Sequence, residues 1–163
     1  MAIGRRDARG AALGTVIAIV VVIAIAAALT YFFYCPCSRI PGGWLLGEEV
    51  TDPVTDWSFA NEVPLCQIQV RSWLPHSVNL NCMSTGGALY LSCASCEGKI
   101  WSTAALGDPN ARIRMNGVVY PVRLTRVEDP AVLDAAWNAR AAKFGRKAGP
   151  RREGWWSFKA ESR

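Results

Sequence analysis

Residues 89–130 read LYLSCASCEGKIWSTAALGDPNARIRMNGVVYPVRLTRVEDP, and the pivot of the stretch is Asn116-Gly117. Asn-Gly between β-type residues marks a type I′ hairpin, because both central residues of that turn need positive φ. A two-residue turn pairs Ala111–Met115 with Val118–Leu124. It sets Met115 opposite Val118, Ile113 opposite Tyr120 and Ala111 opposite Val122. Arg112 and Arg114 then share the other face with Val119, Pro121 and Arg123, a face that is partly wet or lines a polar cleft. Upstream, a strand over Ala88–Ser92 leads into a loop with Cys93, Cys96, Gly98 and Lys99, then a short helix that Asp108-Pro109 ends. Downstream, Asp129-Pro130 opens a second helix, with Asp as N-cap and Pro at the first helical position. Val132, Leu133, Ala136, Trp137, Arg140 and Phe144 recur at close to 3.6 residues, and Gly145 ends the run.

Further out, Leu65–Arg71 and Ser77–Met83 alternate as strands, and Gly86-Gly87 makes the next turn. A symmetric hairpin about Leu74 sets Cys66 opposite Cys82. His76, beside Pro75 in that turn, is expected to be exposed. Asp56-Trp57-Ser58-Phe59 offers an N-cap Asp and two aromatics to plug one end of the core. Residues 146–154 form a basic loop, and Trp155–Glu161 is the closing strand. Residues 35–56, rich in Pro and Gly and without a period, read as a juxtamembrane linker. In an ordered linker Trp44, Leu45 and Leu46 pack on the domain; otherwise they rest on the membrane.

Ala11 to Tyr34 holds no charge. As a helix these residues reach about 36 Å, enough for a hydrocarbon core of about 30 Å. Arg5, Arg6 and Arg9 precede the segment, and only Arg39 follows within 13 residues. The positive-inside rule puts residues 1–10 in the cytoplasm, residues 11–34 across a bacterial-type inner membrane, and residues 57–163 in the periplasm or outside the cell. A cleaved signal peptide fits less well, since its apolar region is usually about 7–15 residues.

The chain has 163 residues and a net charge of +5, which divides into +2 over residues 1–34, −3 over 35–139 and +6 over 140–163. A mildly acidic body with basic ends is not a nucleic-acid binder's uniform basic face. The basic tail suits anionic lipid or an acidic partner. Of the six cysteines, Cys35 and Cys37 flank Pro36 and are too close to be expected to bridge each other. Cys66, Cys82, Cys93 and Cys96 are candidates for disulfides or redox chemistry outside the cytoplasm. With His76 as the sole histidine and no second CxxC, no metal site is expected. No catalytic motif of the nucleophile-elbow, P-loop, zincin or dinucleotide type is present.

The order of elements over residues 89–130 resembles the split β-barrel flavin-binding superfamily, which includes the pyridoxamine-phosphate-oxidase-like proteins and the deazaflavin-dependent nitroreductases. The resemblance spans about residues 57–144. It implies a mainly β, α+β domain: a split antiparallel barrel with one C-terminal helix behind one transmembrane helix. It also implies FMN or a deazaflavin as cofactor and often a homodimer. Lys99, Trp101, Ser102 and Thr103 occupy the positions that hold the flavin phosphate, with Arg112 and Arg114 on the next strand. The sequence departs from that pattern in its loop cysteines and in having one basic residue between 92 and 111. The expectation is therefore a cofactor-free barrel, an accessory or assembly subunit that contacts other membrane-protein subunits. Seven tryptophans suit such contact surfaces. The alternative is a flavin- or deazaflavin-dependent reductase of a quinone or other small molecule at the membrane surface.

Overall fold

A computed structural model of the chain describes residues 4–71 and 73–163. Strands β5 (Asn110–Met115) and β6 (Val118–Arg126) meet at Asn116 and Gly117, whose φ angles are 50° and 85°. Their pairs are Met115–Val118, Ile113–Tyr120 and Ala111–Val122, the register expected from the turn. Upstream lie β2 (Cys66–Arg71), β3 (Pro75–Thr85), β4 (Ala88–Cys93) and the short helix α2 (Ile100–Gly107). Helix α3 (Pro130–Lys143) and strand β7 (Trp156–Ser162) follow the hairpin.

The antiparallel order is β6-β5-β2-β3-β4-β7, and β7 pairs back onto β6. That closure removes the edges that an open sheet exposes. Alternate residues point inward, so Ile68, Leu91, Ile113, Val122 and Phe158 fill the barrel and are fully buried. Trp57 and Trp101 pack against them. Cys66 bridges Cys82, with Cα atoms 5.8 Å apart. The strand partner of Cys66 is Leu80, not Cys82, because the hairpin centres one residue before Leu74.

Helix α3 lies outside the barrel. The Asp129 carboxylate accepts from the Ala131 amide and Pro130 begins the helix. Ala136, Val132 and Leu133 cover Met83 and Tyr90 with Trp155. The Lys143 ammonium donates to the carbonyls of Ala60 and Cys82, pinning the helix end to the barrel. The Asp56 carboxylate binds the Ser58 amide and hydroxyl, while Trp57 occupies the cap position of the 3-10 turn Ser58–Asn61. Trp57 is buried there and Phe59 is not.

Helix α1 (Gly4–Phe33) includes 24 residues, Gly10–Phe33, long and apolar enough to cross a membrane. The side chains of Arg5, Arg6 and Arg9, on which the expected orientation rests, lie outside the described residues. The segment after α1 folds back as a strap. Its Gly43 and Trp44 amides donate to the Tyr31 and Phe32 carbonyls, two acceptors that a helix end leaves open. Gly42 exchanges both backbone hydrogen bonds with Ser77 of β3, at 2.8 Å each. A Cβ on Gly42 would strike the Cys35 carbonyl, so this approach needs glycine. Further along, Leu45 is fully buried, Trp44 and Leu46 stay exposed, and Glu48–Glu49 adds a short parallel strand, β1, beside β6.

Two further expectations fail here. Cys35 and Cys37 do bridge each other. The Cα atoms of Cys35 and Cys37 lie 4.4 Å apart, the lower end of the bridging range. His76 is buried at the start of β3, not exposed in a turn, because the strand begins at Pro75.

Candidate functional site

The residues expected to hold a flavin phosphate separate into different places. Lys99, the residue before α2, turns its ammonium back to the Ala94 carbonyl at 2.8 Å. Trp101 is core, its ring 5.3 Å from Phe158. Ser102 is buried on the barrel side of α2 and donates to the Cys96 and Lys99 carbonyls. Thr103 is exposed, in a shallow surface with Arg71 and Asp108. Arg112 and Arg114 lie under the strap. Arg112 binds Glu49 through two nitrogens, at 3.0 and 2.7 Å, and the Leu45 carbonyl at 3.0 Å. Arg114 binds the Leu46 carbonyl and the Gln67 side chain. These six side chains form no common cradle, and five of them have protein partners in place.

Two grooves flank the outer face of β3, marked by Asn79 and Asn81. Those two residues are about 7 Å apart along a strand. The first groove, about 290 Å³, lies between Ser38–Pro41 and Lys99, with Val78, Leu80 and Trp101 behind. The second, about 450 Å³, lies between β3–β4, the end of α3 and loop 144–152. Arg140, Arg146, Lys147 and Arg152 line it, and no acidic side chain does. Among the described residues no carboxylate is paired with any of these four, since Asp134 takes Arg151 instead.

The second groove has the chemistry of an anion site. Burial, then the charges of Arg152 and Arg146, holds the Arg140 guanidinium below its ordinary range. An anion placed among these cations relieves that repulsion. Ser92 forms part of the wall, and its buried hydroxyl has no hydrogen-bond partner among the described residues. Trp137, Phe144 and Trp155 give the groove flat apolar surfaces. Trp137 is fixed by its indole N–H, which donates to the Gly149 carbonyl at 2.7 Å, and Arg140 stacks over its ring. The volume is in the usual range for small-molecule sites, about 300–1,000 Å³.

Sequence reasoning overlooked this groove as a site. It assigned Arg140 to the helix face and residues 146–154 to a basic loop. The available signal was the +6 charge of residues 140–163. What it lacked was that Ser92 and Cys93 form the opposite wall.

No protein-family model matches the chain, and no curated protein matches it in sequence. Solved structures do match in three dimensions. A candidate 5-nitroimidazole antibiotic resistance protein from Bacteroides thetaiotaomicron aligns with TM-score 0.56 and 11% identity, over 69% of this chain and 81% of its own. A conserved hypothetical protein from Mycobacterium tuberculosis aligns with TM-score 0.53 and 13% identity, over 71% and 86%. A candidate pyridoxamine 5'-phosphate oxidase from Listeria innocua aligns with TM-score 0.52 and 12% identity, over 64% and 87%. At these identities what the chain shares with them is its fold: a mainly β split barrel with a helix near its C-terminal end.

Proposed function

We propose that this chain is a membrane-tethered reductase of the flavin or deazaflavin type, acting on a quinone or other small molecule near the bilayer surface. In this reading α1 crosses an inner membrane, residues 1–10 face the cytoplasm and the barrel stands on the other side. The observation that carries the ligand assignment is the basic groove, with four cationic side chains, no acid and an unpartnered buried hydroxyl around aromatic walls. The fold likeness supports it, since one of the aligned structures is a candidate pyridoxamine 5'-phosphate oxidase.

The donor set that the resemblance implies does not fit a phosphate, because its members are dispersed and, Thr103 apart, engaged within the chain. The groove set does. Arg140, Arg146 and Arg152 would hold the anionic end, and Trp137 would flank a flat ring. When bound, a flavin or deazaflavin supplies hydride chemistry. The protein's part is to bind, orient and exclude water from one side.

The test is an absorbance and fluorescence scan of the full-length protein extracted from its native membrane in mild detergent. A flavin-like band released on denaturation is expected. It should be lost in Arg140→Ala with Arg152→Ala and retained in Lys99→Ala with Ser102→Ala. Colourless protein that binds neither FMN nor a deazaflavin on addition would sink the reading. The second reading, an accessory subunit of a membrane complex, is favoured by Trp73, which is 91% exposed at the β2–β3 turn. Tryptophan so placed suits a partner surface, and stoichiometric co-purification of other subunits with colourless protein would establish it.

A further inference from the structure

The three disulfides have different surroundings. Cys66–Cys82 ties β2 to β3 inside the barrel, with both residues fully buried. Cys35–Cys37 closes the turn after α1. Cys93 and Cys96 belong to the same core cluster as Cys66 and Cys82 but stand at its boundary. Cys93 is the last residue of β4 and part of the basic groove's wall, with 8% of its surface exposed. Cys96 is fully buried behind it. The Cys96 carbonyl accepts from the Lys99 amide and the Ser102 hydroxyl, so the pair sits at the entry to α2. Cations and a helix start both favour thiolate over thiol. Arg140 and Arg152 share the groove wall with Cys93 and have no carboxylate partner among the described residues.

We propose that Cys93–Cys96 is an exchangeable redox disulfide, reached through the basic groove by an anionic thiol or dithiol. The incoming thiolate attacks Cys93 Sγ. The Cys93–Cys96 bond breaks as the new sulfur–sulfur bond forms, and Cys96 leaves as a thiolate that takes up a proton. A second thiolate, from the same or another molecule, attacks the incoming sulfur and releases Cys93. Two thiols are thereby oxidised to one disulfide, and two electrons and two protons pass to Cys93 and Cys96. Run in reverse, the pair reduces an external disulfide. The cations of the groove attract the anionic reductant and stabilise the Cys93 thiolate released in the second step. None of this requires a flavin-type ligand, so failure of one assignment leaves the other standing.

The experiment uses the full-length protein in mild detergent, equilibrated in glutathione buffers of increasing reducing power. Free thiols are then blocked with a maleimide and located by peptide mass mapping. Cys93–Cys96 is expected to open while Cys66–Cys82 stays closed. With Arg140→Gln and Arg152→Gln together, opening by glutathione should slow about tenfold, while opening by neutral 2-mercaptoethanol should change less. Opening of Cys93–Cys96 no sooner than Cys66–Cys82 overturns the proposal. So does opening of Cys35–Cys37 alone, or an unchanged glutathione rate in the double variant.

Discussion

Arg112 and Arg114 on the β2–β5 face are each held by a carbonyl of the strap and by a polar side chain, whereas Arg140 and Arg152 line the groove beside α3 without a carboxylate partner among the described residues. Charge and residue type are the same on both faces. The difference is the strap. Residues 45–49 bring backbone oxygens and Glu49 to one face, and nothing in the described chain brings their equivalent to the other. The first set of arginines joins parts of the protein together, and the second has no carboxylate partner among the described residues. A basic residue therefore marks a binding site only once its internal partners have been counted.

The strongest way to break this contrast is Leu45→Ala. It empties a fully buried site under the strap and should cost about 2–5 kcal/mol, read by denaturant unfolding. Amide exchange over residues 42–50 should rise most, leaving Arg112 and Arg114 as unpartnered as Arg140. Unchanged stability would show that the strap does not hold the face. Next in size, Arg112→Ala should cost about 1–3 kcal/mol by orphaning the Leu45 carbonyl and Glu49. Adding Glu49→Ala should cost less than the sum of the two single changes, because they share one contact.

On the other face the sign reverses. Arg140→Ala should leave stability unchanged or raise it by about 0.5 kcal/mol, since it removes repulsion at a partly exposed site. Inorganic phosphate at low salt should raise the melting temperature of the parent protein and not of this variant. Equal stabilisation of both would dissociate the groove from anion binding.

The smallest expected effect concerns His76, one residue before the strap's anchor at Ser77. Burial lowers its pKa from the usual 6.5. The folded state therefore binds its proton more weakly than the unfolded state, and stability declines as pH falls through about 6.5 toward the lower folded value. His76→Gln should flatten that decline in a pH series of melting temperatures. A parallel decline in the variant would assign it to other groups.

Much of the barrel was legible because its signals are local. Asn116-Gly117 dictates a turn, the turn dictates the β5–β6 register, and Asp129-Pro130 starts α3 within two residues. The strap was not legible. Its Gly and Pro read as a juxtamembrane linker without a period, and only the approach of Gly42 to Ser77 and of Leu45 to Gln69 shows that they permit close packing. The groove was hidden for a related reason. Its walls come from Ser92–Ala94 and from residues 137–155, and no periodicity links positions so far apart. That the expected phosphate donors are dispersed and mostly engaged within the chain was not legible, because their spacing carries no information about partners. Ser102 has the right chemistry but spends its hydroxyl on Cys96.

The bonds from Gly43 and Trp44 to the last turn of α1, and from Gly42 to Ser77, make the junction a splint and not a leash. A leashed domain wanders over its membrane and finds its reactants by search. A splinted one keeps a constant bearing and altitude. With α1 in the bilayer, the mouths of both grooves would stay at fixed heights above the lipid, and a twist of the helix about its own axis would turn the barrel with it. Torque from a neighbouring transmembrane helix would then reach the barrel directly, through three residues.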